Sequence, residues 1–171
     1  AASLGGVLPF FVDDGIATAS TGLSPHGRLR IVSPGFFAAL GVSLTAGRDF
    51  TGEDTSKTEP VVIVSQTLAS QLFPGGNAID HQISWTDPFF GKPRPRRIVG
   101  IAADVDDEHV LPAPEMTLYH PVGQLPYVNR LFVHTTGDPY ALIADVIGII
   151  HKVSAEQLVE RPATLADVRA D

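Results

Sequence analysis

Residues 28–41 read RLRIVSPGFFAALG and place a strand directly before a helix. Arg28 to Val32 alternate polar and apolar, the pattern of a half-buried strand. Ser33 then offers a helix cap, Pro34 suits the first helical position, and Gly41 supplies a left-handed exit. Between them Phe36, Phe37 and Leu40 form one apolar face.

Downstream, Val42 to Phe50 reads as a short strand ending in a turn at Gly47-Arg48-Asp49, and Thr51 to Pro60 as a polar loop. Val61 to Val64 is a continuous β-branched run, which suits a buried strand. Ser65 caps a following helix whose Leu68 and Leu72 share a face, and Pro74-Gly75-Gly76 stops it. Ile83–Trp85 and Arg97–Ala103 read as two strands around a loop rich in Pro, Gly and Arg; Leu118–His120 and Leu131–Thr135 read as two more. Upstream, residues 1–26 form a Gly- and Ser-rich opening with a short strand expected at Gly15–Ala19.

The longest helix is expected from Asp138 to Val153. Asp138 caps it, Pro139 sits in its first turn, and His151 and Lys152 suit the negative end of its dipole. Its stripe of Leu142, Ile143, Val146, Ile149, Ile150 and Val153 predicts packing on a sheet. Thr164 and Asp167 have capping-box spacing at the start of a last short helix. Strands and helices in this order predict mixed α/β layers, an α+β class.

Composition narrows the function. A hydrophobic fraction of 44% is enough for a real core, so the chain is not a disordered tail. A net charge of −7 argues against nucleic acid and anionic lipid, which need clustered cations. The absence of cysteine removes disulfides, thiolate catalysis and cysteine zinc sites. The longest apolar stretch, Tyr140 to Ile150, is broken by Asp145 and falls short of the roughly 20 residues that a membrane span needs. The chain opens at Ala1 without a signal-like segment, which fits either an excised stretch or a processed protein.

No pattern of catalysis or phosphate binding is present. There is no G-x-G-x-x-G, Gly91-Lys92 is followed by Pro without the upstream glycine of a P-loop, and neither H-E-x-x-H nor G-x-S-x-G occurs. Histidines 26, 81, 109, 120, 134 and 151 are scattered without metal-ligand spacing and read as surface or helix-end residues. Asp104, Asp106, Glu108 and Glu115 fall at positions 1, 3, 5 and 12 of a calcium-loop count, but His109 stands where the turn glycine belongs. A solvated acidic loop is the plainer reading of that stretch, with ion or ligand sensing through Asp104–His109 as the alternative. Pro93-Arg94-Pro95-Arg96-Arg97 reads as a rigid entry to a strand whose arginines protect an exposed edge. Phe89-Phe90 reads as a staple over the core or as an interaction point. Catalytic, cofactor-binding and metal residues are therefore assigned to none.

Taken in order, the motifs resemble a known family. They are Val32-Ser33-Pro34-Gly35-Phe36-Phe37, Leu40-Gly41-Val42, Ala46-Gly47-Arg48-Asp49-Phe50, Val61-Val62-Ile63-Val64-Ser65, Leu72-Phe73-Pro74-Gly75, Ile98-Val99-Gly100-Ile101 and Asp104-Val105, then Pro114-Glu115, Leu118-Tyr119 and Thr136-Gly137-Asp138-Pro139. This set is similar to the periplasmic core domain of MacB-like, FtsX-related ABC transporter permeases, and in particular to the second extracytoplasmic domain of large tandem "orphan" permeases. The resemblance covers about residue 28 to the C-terminus. It implies a porter-like subdomain of residues 1–50 plus 104–171 and an inserted, smaller sabre-like α/β subdomain of residues 51–103. It further implies a non-catalytic periplasmic module of an inner-membrane protein, with no cofactor. Such a module passes ATP-driven movement to a substrate or an adaptor protein during efflux or export, the full-length protein is membrane-embedded, and the ABC ATPase is a separate chain or domain.

Overall fold

Runs of β-branched residues spaced by turns form the strands, and their pairing closes them on one another. A computed structural model of the chain describes residues 7–12, 26–85, 94–104, 116–125, 133–156, 158–159, 163, 164 and 167. The chain divides into two compact units, residues 1–106 with 112–132, and residues 107–111 with 133–171.

The first unit holds strands β1 (Val7–Val12), β2 (His26–Val32), β3 (Leu44–Gly47), β4 (Val61–Ser65), β5 (Gln82–Trp85), β6 (Arg96–Ala102) and β7 (Thr117–Pro121), with helices α1 (Phe36–Leu40) and α2 (Gln66–Leu72). They form a mixed sheet in the order β3-β6-β4-β7-β2-β1-β5, and β5 also pairs with β6. Six strands thus close into a ring. β5 takes the first residues of one edge of β6, through Gln82–Arg97 and Ile83–Arg96, and β3 takes the last, through Leu44–Ala102 and Gly47–Gly100. Parallel pairing of β2 with β7 and of β4 with β6 alternates with antiparallel pairing of β4 with β7 and of β1 with both its neighbours. Closure leaves β3, paired only with β6 among the described strands, as the one edge of the sheet.

Alternation along the strands sorts two cores onto the two faces. Leu29, Val62, Val64, Ile83, Trp85, Ile98 and Leu118 pack inside the ring with Leu68, Ala69 and Leu72 of α2. Val32, Val61, Ile63, Val99, Ala102 and Tyr119 pack outside it with Phe37 of α1. Phe37 lies edge-on to Tyr119, with ring centroids 4.9 Å apart. Because β4 has neighbours on both edges and cores on both faces, all five of its residues are buried, as its unbroken β-branched run predicts.

Most sequence expectations hold at element level, and the differences have local causes. Ser65 caps α2 by accepting from Leu68 N at 3.3 Å, as expected. Ser33 does not cap α1 with its side chain: Gly35, at φ 81°, takes the cap position, and Phe36 N donates instead to the Ser33 carbonyl at 3.2 Å. Pro34 therefore lies ahead of the helix. Gly41 gives the expected left-handed exit at φ 70°. β1 was not foreseen, the sequence there having been read as a Gly- and Ser-rich opening; it holds Pro9, a residue that strands seldom contain. The strand expected at Gly15–Ala19 lies outside the described residues. So do Leu131 and Phe132, while Val133–Thr135 are not in a strand.

In the second unit, Asp138 Oδ1 accepts from Tyr140 N at 3.0 Å and opens a 3-10 turn at Pro139–Leu142, followed by α3 (Ile143–Val153). The expected helix is thus tighter in its first turn. The expected burial of its apolar stripe is not found: no residue of α3 is buried, and Ile149 and Val153 are 60% and 86% exposed. Thr164 and Asp167 do form a reciprocal cap, Thr164 N donating to Asp167 Oδ2 at 2.8 Å and Asp167 N to Thr164 Oγ1 at 3.1 Å. The Tyr140 hydroxyl donates to the same carboxylate.

Candidate functional site

The densest polar arrangement grows from the turn after β3. Gly47 adopts φ 76°, a left-handed conformation that disfavours any side chain, and a Cβ there would run into the Val99 carbonyl oxygen. That close approach lets Arg48 N donate to Val99 O at 2.8 Å, which seats the turn on β6. The Arg48 guanidinium then turns to Asp54. Nη1 meets Oδ2 and Nη2 meets Oδ1, each at 2.9 Å, the two-pronged geometry that favours arginine over lysine. Thr51 N adds a third bond to Asp54 Oδ2 at 2.8 Å. The Arg48 bonds hold the Asp54 carboxyl below its ordinary range against an opposing burial cost, and the same contact raises the pKa of Arg48.

The clamped loop also touches the turn after β7. A Cβ on Gly123 would come within 2.5 Å of the Asp54 carbonyl, so the turn needs glycine to lie this close. Beside it, Gln124 accepts from Val61 N at 3.0 Å and donates to Glu59 O at 2.7 Å, tying the loop's end to the start of β4. Arg97 of β6 completes the belt, with Nη2 2.7 Å from Glu59 Oε2 and Nη1 2.9 Å from Asp80 Oδ1. Arg97 lowers the pKa of Glu59, and its own rises through both carboxylates. Loop 48–60, β4, β6 and the turn after β7 are thereby locked together.

The residues singled out in the sequence fall elsewhere. Asp104, first in the calcium-loop count, directs Oδ1 to Thr67 N at 2.9 Å and accepts from Thr67 Oγ1 on Oδ2 at 2.8 Å. Both of its oxygens are thus occupied at the start of α2. Asp106, Asp107, Glu108, His109 and Glu115 lie outside the described residues, as do Phe89, Phe90 and Pro93. Among the described residues no group of three or more His, Asp or Glu is placed to hold a metal ion. Arg96 does not guard an edge: it stands opposite Ile83 on β5 and shares that residue's inward face.

His120, read as a surface or helix-end histidine, is instead fully buried in the ring. Trp85 Nε1 donates to its Nε2 at 3.0 Å, linking β5 to β7 across the interior. Its place in β7 directly after Leu118-Tyr119 was the available signal, since an inward residue at Leu118 implies an inward residue at His120. The charged groups of the belt pair with one another. No helix among the described residues is long and apolar enough to cross a membrane.

Residues 6–152 match the family model for the MacB-like periplasmic core domain. That match starts nearer the N-terminus than the motif resemblance, which began near residue 28, and it takes in β1. The fold is similar to the periplasmic region of MacB from Actinobacillus actinomycetemcomitans, with TM-score 0.60 and 14% identity over 86% of this chain. The chain spans only 63% of the length of that structure. A domain of a protein described as a permease from Porphyromonas gingivalis is similar at TM-score 0.54 and 15% identity, over 98% of this chain and 79% of that one. The extracellular domain of the noncanonic ABC-type transporter YknZ from Gram-positive bacteria gives TM-score 0.45 and 13% identity, over 70% and 75% of the two chains. Among curated proteins, none matches the sequence.

Proposed function

The chain belongs to the family of MacB-like periplasmic core domains, and from that membership we propose that it is the extracytoplasmic module of an ABC-type permease that passes ATP-driven movement to a substrate or an adaptor protein. The observation that carries this reading is the family match over residues 6–152. The closed ring and its belt support it, because a part that transmits displacement must not dissipate it internally. A ring of six mutually paired strands and a loop clamped against it meets that need. The module is non-catalytic on this reading. The chain lacks a phosphate-binding motif, so the ATPase that drives it is a separate chain or domain, reached through the membrane part of the permease.

On this reading residues 51–103 are the sabre-like part and residues 1–50 with 104–171 the porter-like part; strands from both ranges lie in the one sheet. The test is labelling of the full-length protein in intact cells. The 171 residues contain no cysteine, and Ser56 is exposed, so Ser56→Cys provides a target within this domain. A membrane-impermeant maleimide should label it from outside the inner membrane; labelling only after lysis overturns the proposal.

A further inference from the structure

The Trp85–His120 pair is more than core packing. Six strands surround a common interior, and the inward positions are apolar on nearly all of them: Leu29 and Ile31 on β2, Val62 and Val64 on β4, Leu118 on β7. β1 contains no titratable residue in its sequence, VLPFFV, and neither α1 nor α2 contains one. On β2, Arg28 and Arg30 alternate to the opposite face from Leu29. Among the described residues the charged group facing the interior is Arg96 on β6, whose Nη1 donates to Arg94 O at 2.9 Å and which pairs with no carboxylate there. Among the described residues His120 therefore sits near a cation, with no acid there to offset a second positive charge.

Its hydrogen bonding makes the position sensitive. Nε2 accepts from the Trp85 indole, so the neutral ring carries its proton on Nδ1, and Nδ1 is buried without a partner among the described residues. We infer that His120 and Trp85 form an acid-operated latch across the ring: a proton taken up at Nε2 replaces the acceptor lone pair with a second N–H, and the bond between β5 and β7 is lost. The step is a simple protonation from solvent; no other bond forms or breaks. Two donors then face each other in a buried interior, and the imidazolium stands near Arg96. Burial foremost, and then the charge of Arg96, hold the pKa of His120 well below the ordinary 6.5. The latch is thus closed at neutral pH and opens in acid. Its relevance in the cell rests on the extracytoplasmic placement proposed above, whereas the latch itself is a property of the 171-residue chain.

Trp85 is the single tryptophan, so its emission reads the latch directly. In the wild-type chain, emission should shift red in one reversible step with a midpoint below pH 6.5, while far-UV circular dichroism stays constant through that step. His120→Gln keeps an acceptor oxygen but cannot titrate there, and it should abolish the step. A step of the same midpoint in His120→Gln overturns the inference. Imidazole nitrogen resonances of the wild-type chain decide the matter even if that variant does not fold. The inference requires the Nδ1–H tautomer at neutral pH and titration of His120 together with the emission change. An Nε2–H tautomer, or a His120 that stays neutral while emission changes, overturns it.

Discussion

Removing Asp54 should release the clamp at the centre of the polar belt, and its cost can be worked from the geometry. Asp54 is only 7% exposed, while Arg48 is 47% exposed. A hydrogen bond to a charged group contributes about 1.5–3 kcal/mol when shielded, but solvent at the guanidinium brings the pair nearer the value of about 1 kcal/mol for surface ion pairs. The Thr51 N–H bond adds about 1 kcal/mol. Asp54→Ala should therefore destabilise the first unit by about 2 kcal/mol, lowering its Tm by roughly 4–8 °C. Arg48→Met keeps the aliphatic stem and should cost about 1–2 kcal/mol, because it leaves a shielded carboxylate without its partner. The double variant should show a coupling of about 1 kcal/mol. Urea unfolding followed by Trp85 emission reports on the ring that carries the clamp. A coupling below about 0.3 kcal/mol would place the pair among inert surface contacts and refute the clamp.

Other consequences follow from the same contacts. Phe37→Ala empties the centre of the outer core and should cost about 3–5 kcal/mol by urea titration. Asp104→Ala removes both bonds to Thr67 at the start of α2 and should cost about 1 kcal/mol, with little change on adding millimolar calcium to the wild-type chain. Acid should act in two windows. Asp54 and Glu59 are held below their ordinary 3.8 and 4.5 by Arg48 and Arg97 respectively. Their folded pKa values lie below the unfolded ones, so their stabilisation is full above about pH 5 and is lost as pH falls through 4. His120 is also depressed, from 6.5, so the unfolded chain binds the extra proton first, and stability begins to decline below about pH 6.5. Asp54→Asn should flatten the lower limb of the stability–pH curve alone.

Local signals in the sequence were strongest where one residue decides one conformation. Ser65 before a helical face, Gly41 at a left-handed exit, Asp138 ahead of Pro139, and Thr164 with Asp167 each play the part their chemistry suggests. The β-branched run of β4 correctly implied burial on both faces. What depends on distant pairing was not legible. Nothing in Val7–Val12 says that it closes a ring between β2 and β5, and Pro9 is a residue that strands seldom contain. Arg48 was visible as a motif, but its partner six residues on was hidden in a loop that reads only as polar. His120 looked like one of six scattered histidines until alternation along β7 turned it inward. Ring closure, not local propensity, brings it to Trp85.

The function proposed above requires the first unit to move as a stiff body when the ATPase works. Spin labels at Ser56→Cys and Ser70→Cys, both exposed positions in the first unit, measure its interior in the membrane-embedded permease, and a third label on the ATPase measures its displacement. The Ser56–Ser70 distance should be the same with ATP, with ADP and without nucleotide, while the distance from Ser56 to the ATPase changes between those states. A Ser56–Ser70 distance that follows the nucleotide, or a domain that holds still relative to the ATPase in every state, would contradict the account.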